Sequence, residues 1–124
     1  NQEEEAEVLL LDCLDKRLAQ QGEEHPDTLQ LFQDLATLYS QQGRSDEAEG
    51  MYSECLALRE AALGESDPMT LVTLDGLVWL YADNERWKEA APLSKRLVAL
   101  TPEESPALVG RKALLQLIKS KQEE

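Results

Sequence analysis

The sequence predicts an all-α protein of about six helices packed as antiparallel pairs, and three observations carry that prediction. The first is an internal repeat. Laid on itself at an offset of 42 residues, the chain aligns Ala6 with Ala48, Cys13 with Cys55, Leu14 with Leu56, Arg17 with Arg59, Pro26 with Pro68, Tyr39 with Tyr81 and Arg44 with Arg86. A fixed period of this size marks a solenoid, in which each unit buries its apolar face against the next. The second is spacing. Leu29, Phe32, Leu35, Ala36 and Tyr39 fall on one helical face, as do Ala48, Tyr52, Cys55, Leu56 and Arg59, the last counted through its aliphatic stem. The third is punctuation: His25, Asp67 and Ser105 each precede a proline, the pattern of a capping side chain before a first helical turn.

These signals place helices at about 3–20, 26–41, 45–62, 68–83, 86–100 and 106–121, joined by short polar turns. The first aligns with the third, which makes it the second member of a pair, and it stops at Gly22. The second opens at Pro26 behind His25 and stops at Gly43; the third stops at Gly64. The fourth opens at Pro68 behind Asp67 and ends at Asp83-Asn84-Glu85, which stands in for a glycine turn. Pro92 lies early enough in the fifth to be accommodated near its start or as a mild bend. The sixth returns at an offset of 38, Pro106 answering Pro68, and carries Leu114, Leu115, Leu117 and Ile118. Residues 1–124 are thus expected to form one domain: an unpaired helix (1–22), two helix pairs (26–62 and 68–100) and a terminal or capping helix (105–121). Such an opening suggests an excerpt from a longer array.

Composition narrows the function classes. The chain has 124 residues, 12 Lys and Arg against 25 Asp and Glu, and a formal net charge of −13. That balance argues against nucleic acid or anionic lipid as partner, each of which needs a basic surface. The charge is uneven: residues 1–65 carry 16 acids and 4 bases, residues 66–124 carry 9 acids and 8 bases. No apolar run approaches the roughly 18 to 20 residues of a membrane span, and the start NQEEEAEV lacks a basic and then apolar leader. A soluble, cytoplasmic chain is expected.

Nothing in the sequence proposes catalysis, a cofactor or a metal. His25 is the only histidine and sits where a cap is needed, with no Cys/His cluster beside it. The acid pairs Glu23-Glu24 and Glu103-Glu104 read as solvated turns. Cys13 and Cys55 occupy one slot of successive units. Equivalent residues are then separated by at least the roughly 8–10 Å between packed helices, beyond the ~7 Å Cα limit of a disulfide, so both are expected as shielded free thiols.

The unit resembles a tetratricopeptide repeat. Phe32, Leu35, Ala36, Tyr39, Ala48 and Tyr52 fill that family's signature positions in one unit, and Leu74, Leu77, Val78, Tyr81, Ala90 and Pro102 in the next. The long period, with HPDTL (25–29), LATLYSQQGRSDEAE (35–49), CLALREAALGESDP (55–68) and EAAPLSKRL (89–97), is similar to the kinesin light chain and nephrocystin group. The resemblance implies a right-handed superhelical array. Ser94 in an aromatic slot and bulky Val78 in a small one are departures, expected to weaken packing of the second unit.

The resemblance also implies a peptide-binding concave face lined by the first helix of each pair. It nominates Gln30, Gln33, Asp34, Thr37, Ser40 and Gln41 on one helix, then Val72, Asp75, Gly76, Trp79, Ala82 and Asp83 on the other. This set contains carboxylates and no Lys or Arg, so it is expected to hold an extended or helical peptide of neutral to basic charge. Trp79 is open to two readings, packing or ligand contact, whereas Trp87 is expected to lock a turn. The adjacent asparagines and basic residues of kinesin light chains, and the lysine clamp of chaperone-binding relatives, are missing, so those specificities do not transfer. The expected role is a non-enzymatic protein interaction module within a larger adaptor or scaffold. The alternative is a spacer or self-association segment stacking through its terminal helices.

Overall fold

A computed structural model describes residues 2–23 and 25–123. Glu24 and Glu124 lie outside the described residues, so the Glu23-Glu24 pair has only one placed member. Six helices follow in order: α1 (Gln2–Gln21), α2 (Pro26–Gln41), α3 (Ser45–Leu63), α4 (Pro68–Asp83), α5 (Trp87–Leu100) and α6 (Ala107–Gln122). No strand occurs among the described residues.

The helix starts follow from their caps. His25 Nδ1 accepts from the Asp27 amide at 3.1 Å, Asp67 Oδ1 from Met69 at 2.9 Å and Ser105 Oγ from Ala107 at 3.3 Å. Each satisfies an amide that the helix itself cannot. The stops follow from left-handed residues. Gly43 has φ 79° and Glu85, one period later, has φ 59°. Both turns close by the same bond, Arg44 N–H to Tyr39 O at 2.9 Å and Arg86 N–H to Tyr81 O at 2.8 Å. Glu85 therefore occupies a glycine conformation at the steric cost a Cβ incurs there. Helix α5 runs through Pro92, whose missing amide leaves the carbonyl one turn back, on exposed Lys88, to solvent.

Each helix packs on its chain neighbours, and α2 also touches α4. Leu35, Ala36, Ala48, Cys55, Leu74, Val78, Ala90 and Ile118 have no exposed surface. The departures at Val78 and Ser94 are both fully buried, and the Ser94 hydroxyl has no hydrogen-bond partner among the described residues. Their compensation is visible one unit earlier. The Tyr52 ring lies so close to Gly76 that a Cβ there would stand 2.7 Å from Tyr52 Cε1. In the next unit the aromatic is Ser94, and α6 brings buried Leu114 to the register position of Gly76. Size is exchanged between the two sides of the interface, which conserves volume.

Polar contacts tie successive units at the same period. Arg44 pairs with Glu7 at 2.7 Å and lies over the Tyr39 ring, 4.2 Å from its centroid. One period on, Arg86 pairs with Glu49 at 2.6 Å and covers Tyr81 at 4.6 Å, while Tyr81 Oη donates to Glu49 at 2.9 Å. Burial, and then the bond to Glu49, push the Tyr81 hydroxyl up to about 12. Glu49, whose position suggests a free outer face, is thus a joint between units.

Two expectations need correction. Arg59 buries its head as well as its stem: at 2% exposure its guanidinium donates to Met69 O at 3.1 Å, Thr73 Oγ1 at 2.7 Å and Gln30 Oε1 at 3.2 Å. And only one thiol is shielded. Cys55 is buried, its Sγ 3.4 Å from Leu29 O, whereas Cys13 is half-exposed because α2 alone covers its helix.

Candidate functional site

The surface nominated from sequence is the solvent-facing side of α2 and α4, with α6 continuing it. On α2, Gln30, Asp34, Thr37 and Gln41 are exposed at helical spacing. Gln30 Nε2 donates to Asp34 Oδ1 at 3.1 Å, and Thr37 Oγ1 donates to Gln33 O at 3.0 Å and lies 3.2 Å from Tyr52 Oη. Ser40 is half-buried.

Gln33 is elsewhere. It is 9% exposed and its Oε1 accepts from Thr73 Oγ1 at 2.9 Å. With Arg59 on the far side of Thr73, it belongs to a polar chain that joins α2, α3 and α4 beneath the surface. A helical wheel puts Gln33 beside Asp34 and cannot tell which of the two meets a neighbouring helix.

On α4, Val72 (44%), Trp79 (48%) and Asp83 face solvent, Asp75 is half-buried, and Ala82 is buried. Gly76 is half-buried and is the seat of the Tyr52 ring, so a Cβ is what this position has no room for. Trp87, by contrast with Trp79, packs on the core.

The expectation of a surface free of Lys and Arg fails at Asp75. Arg111 on α6 reaches it, with Nε 3.7 Å from Oδ2, and is itself held by a bond to Thr101 Oγ1 at 2.9 Å. Burial raises the Asp75 carboxyl above its ordinary value, while Arg111 and the Trp79 indole pull it back part of the way. The sequence hides this contact because α6 returns at a shorter offset than the other units, so no repeat position nominates Arg111.

Two clefts open between α4 and α6. One, of about 230 Å³, is lined by Asp75, Trp79, Ala107, Gly110 and Arg111. The other, of about 420 Å³, includes Pro68, Val72, Pro102, Glu104, Ala107 and Arg111. An open depression of about 760 Å³ lies on α1 among Glu4, Glu5, Val8, Leu9 and Asp12. No group of three or more His, Cys, Asp or Glu residues could hold a metal among the described residues, and no described helix is long and apolar enough to cross a membrane.

The arrangement has solved counterparts. The described helices superpose on a crystal structure of nearly identical TPR-like repeats of a Podosopora anserina kinesin light chain, with a TM-score of 0.87, 24% identity, and coverage of 98% of this chain and 60% of that one. BtubC (BKLC) from P. vanneervenii gives a TM-score of 0.90 at 20% identity, covering 98% of this chain and 50% of that one. At these identities the likeness is one of fold, a superhelix of TPR-like repeats, and the chain spans half to three fifths of those structures. No curated protein matches the sequence. The Tetratricopeptide repeat family model matches residues 2–61 and again 41–103. With most of its length under that family model and its helices stacked as that family's are, the chain belongs to the tetratricopeptide repeat family.

Proposed function

We propose that the chain is a non-enzymatic interaction module that binds a peptide or partner helix across α2, α4 and α6, as part of a larger adaptor or scaffold. The observation that carries this is Trp79: an indole 48% exposed on the first-helix face, beside clefts, where every other large side chain of that helix save Val72 and Met69 is turned inward. Exposed aromatics flanked by polar groups are what binding surfaces present. Gln30, Asp34, Thr37, Gln41, Val72, Asp75, Trp79 and Asp83 are the residues proposed to line it, with Gln33 acting from beneath by fixing α2 against α4.

The preferred ligand is neutral to basic. Asp34 and Asp83 face solvent with no cation in ion-pair distance among the described residues, whereas Asp75 is already matched by Arg111. Two free thiols suit a reducing compartment, for which the cytoplasm is our proposal. The test is selection of binders from a displayed random peptide library, followed by competition with variants. Trp79→Ala and Asp34→Lys should each weaken the selected peptides about tenfold, a loss of roughly 1.4 kcal/mol, while Glu54→Lys on exposed α3 leaves them unchanged. Equal effects of Asp34→Lys and Glu54→Lys would move the site off this face.

A second reading is self-association through the terminal helices. Helix α1 exposes Val8 and Leu9 among Glu4, Glu5 and Asp12, and α6 exposes Val109 and Leu117 on a helix bearing Arg111, Lys112, Lys119 and Lys121. Sedimentation at several concentrations decides it: a strict monomer removes this reading.

A further inference from the structure

We infer that the crease between α4 and α6 is the anchoring subsite of the groove, and that it takes an apolar side chain of a partner peptide flanked by Lys or Arg. The inference deepens the groove reading and rests on it.

The two creases of the first-helix face differ in what comes up from behind. Between α2 and α4, the Tyr52 ring of α3 rises against Gly76 and its hydroxyl reaches Thr37 at 3.2 Å. The Thr73 to Gln33 bond at 2.9 Å closes the floor of the same crease. The cleft of about 270 Å³ near this crease opens only at the helix starts, among Pro26, Gln30, Arg59, Leu63 and Met69, and not beside Gly76. Between α4 and α6 the residue one period after Tyr52 is Ser94, fully buried, with Leu114 of α6 filling the register position of Gly76, and the opening lies a turn before Leu114, at Ala107, Gly110 and Arg111. On the α6 side the wall is built from Ala107 and Gly110, and a Cβ at Gly110 would meet no atom within 4 Å. The clefts of about 230 and 420 Å³ lie here, sharing Ala107 and Arg111, with half-exposed Trp79 and Val72 on the α4 wall.

The charges around this crease choose the ligand. Its central carboxylate, Asp75, faces Arg111, so the middle of the crease offers no net charge to a ligand ion. The acids at its two ends have no such match. Glu104 borders the larger cleft, and Asp83 lies one turn beyond Trp79; among the described residues neither has a cation within ion-pair distance. An apolar centre between two acidic ends fits an apolar side chain between cationic ones, and rim charges of this kind steer and select a partner.

The test uses the full chain and a short fluorescein-labelled Gly/Ser peptide with one central leucine flanked on each side by a Lys-Lys pair. Two controls replace the leucine by serine or all lysines by glutamates. Fluorescence anisotropy at low salt gives affinities, and ¹H–¹⁵N spectra give location. We expect the leucine–lysine peptide to bind with shifts at the Trp79 indole and the Gly110 amide, and each control to bind about tenfold more weakly or worse. Trp79→Ala, at a position 48% exposed, should cost about the same factor, with unchanged helical circular dichroism as the check that the variant folds. Shifts centred on Gln30, Thr37 and Gln41 instead would overturn the subsite and leave the groove reading standing. Tighter or equal binding of the glutamate peptide overturns the charge rule, and binding by none of the three overturns the inference as a whole. The library-selected peptides test the groove reading separately.

Discussion

Asp75 on α4 and Arg111 on α6 face each other across the open crease, Oδ2 to Nε at 3.7 Å. The carboxylate that looks most available in the repeat pattern is the one already matched, and the charge free to meet a ligand sits at Asp34 and Asp83 instead. Arg111 cannot be moved cheaply, because Thr101 at the end of α5 holds its other nitrogen at 2.9 Å.

Two carboxylates should show opposite pH behaviour. Burial raises Asp75, so its contribution to stability is fully present below the ordinary carboxylate range and is lost as pH rises through its shifted value. The bond from Arg86 lowers Glu49, so its contribution is present above the ordinary range and is lost as pH falls through its shifted value. In urea unfolding across pH 2.5 to 7, Asp75→Asn should therefore gain on the parent toward neutral pH. Glu49→Gln should trail the parent at neutral pH and converge with it in acid. Parallel curves for parent and both variants would contradict the assignments.

The volume exchange across α3 and α4 can be transplanted. Gly76→Ala drives a Cβ to 2.7 Å from the Tyr52 ring and should cost about 1–3 kcal/mol, as overpacking does. Tyr52→Ser alone leaves a void and should cost about 3–5 kcal/mol. The double variant Tyr52→Ser with Gly76→Leu, which copies the Ser94 and Leu114 pairing, should recover part of the sum. Strict additivity in chemical denaturation would show that the two sites are independent.

The turn residues at equivalent positions predict opposite signs. Gly43→Ala puts a Cβ at φ 79° and should destabilise by about 1 kcal/mol, whereas Glu85→Gly, which removes one at φ 59°, should stabilise by about 0.5–1 kcal/mol. Thermal or urea midpoints check both. A loss of stability in Glu85→Gly would mean that the glutamate side chain supplies a contact worth more than the strain.

Thiol labelling should separate the cysteines. Cys13 is half-exposed and Cys55 is buried, with burial pushing its thiol up and so lowering its thiolate fraction. A thiol reagent should label Cys13 in the native protein well before Cys55, and count both after denaturation. Equal native rates would contradict the burial of Cys55.

The helices were legible because local chemistry and tertiary packing agree. Capping side chains, Pro at the first turn and left-handed glycines act within a few residues, and they place each boundary within one residue of its position in the structure. Glu85 was legible too, since a repeat that puts Gly43 in a turn demands the same turn one period later. Residues whose role depends on a second helix were not. Gln33 and Asp34 are neighbours of similar polarity, and only the approach of Thr73 buries the first. Gly76 is a groove position on the helix surface until Tyr52 is packed upon it. Arg111 escaped because α6 departs from the common period, and Arg59 because an arginine in an apolar slot suggests a stem that snorkels to water.

The most direct test of the groove is the location of binding. With uniformly ¹⁵N-labelled chain and a library-selected peptide, amide and indole shifts should cluster on exposed α2, α4 and α6 positions, including Gln30, Asp34, Val72 and the Trp79 indole. Shifts confined to the outer positions of α3 and α5, such as Glu54 and Lys95, with Trp79 unmoved, would contradict it.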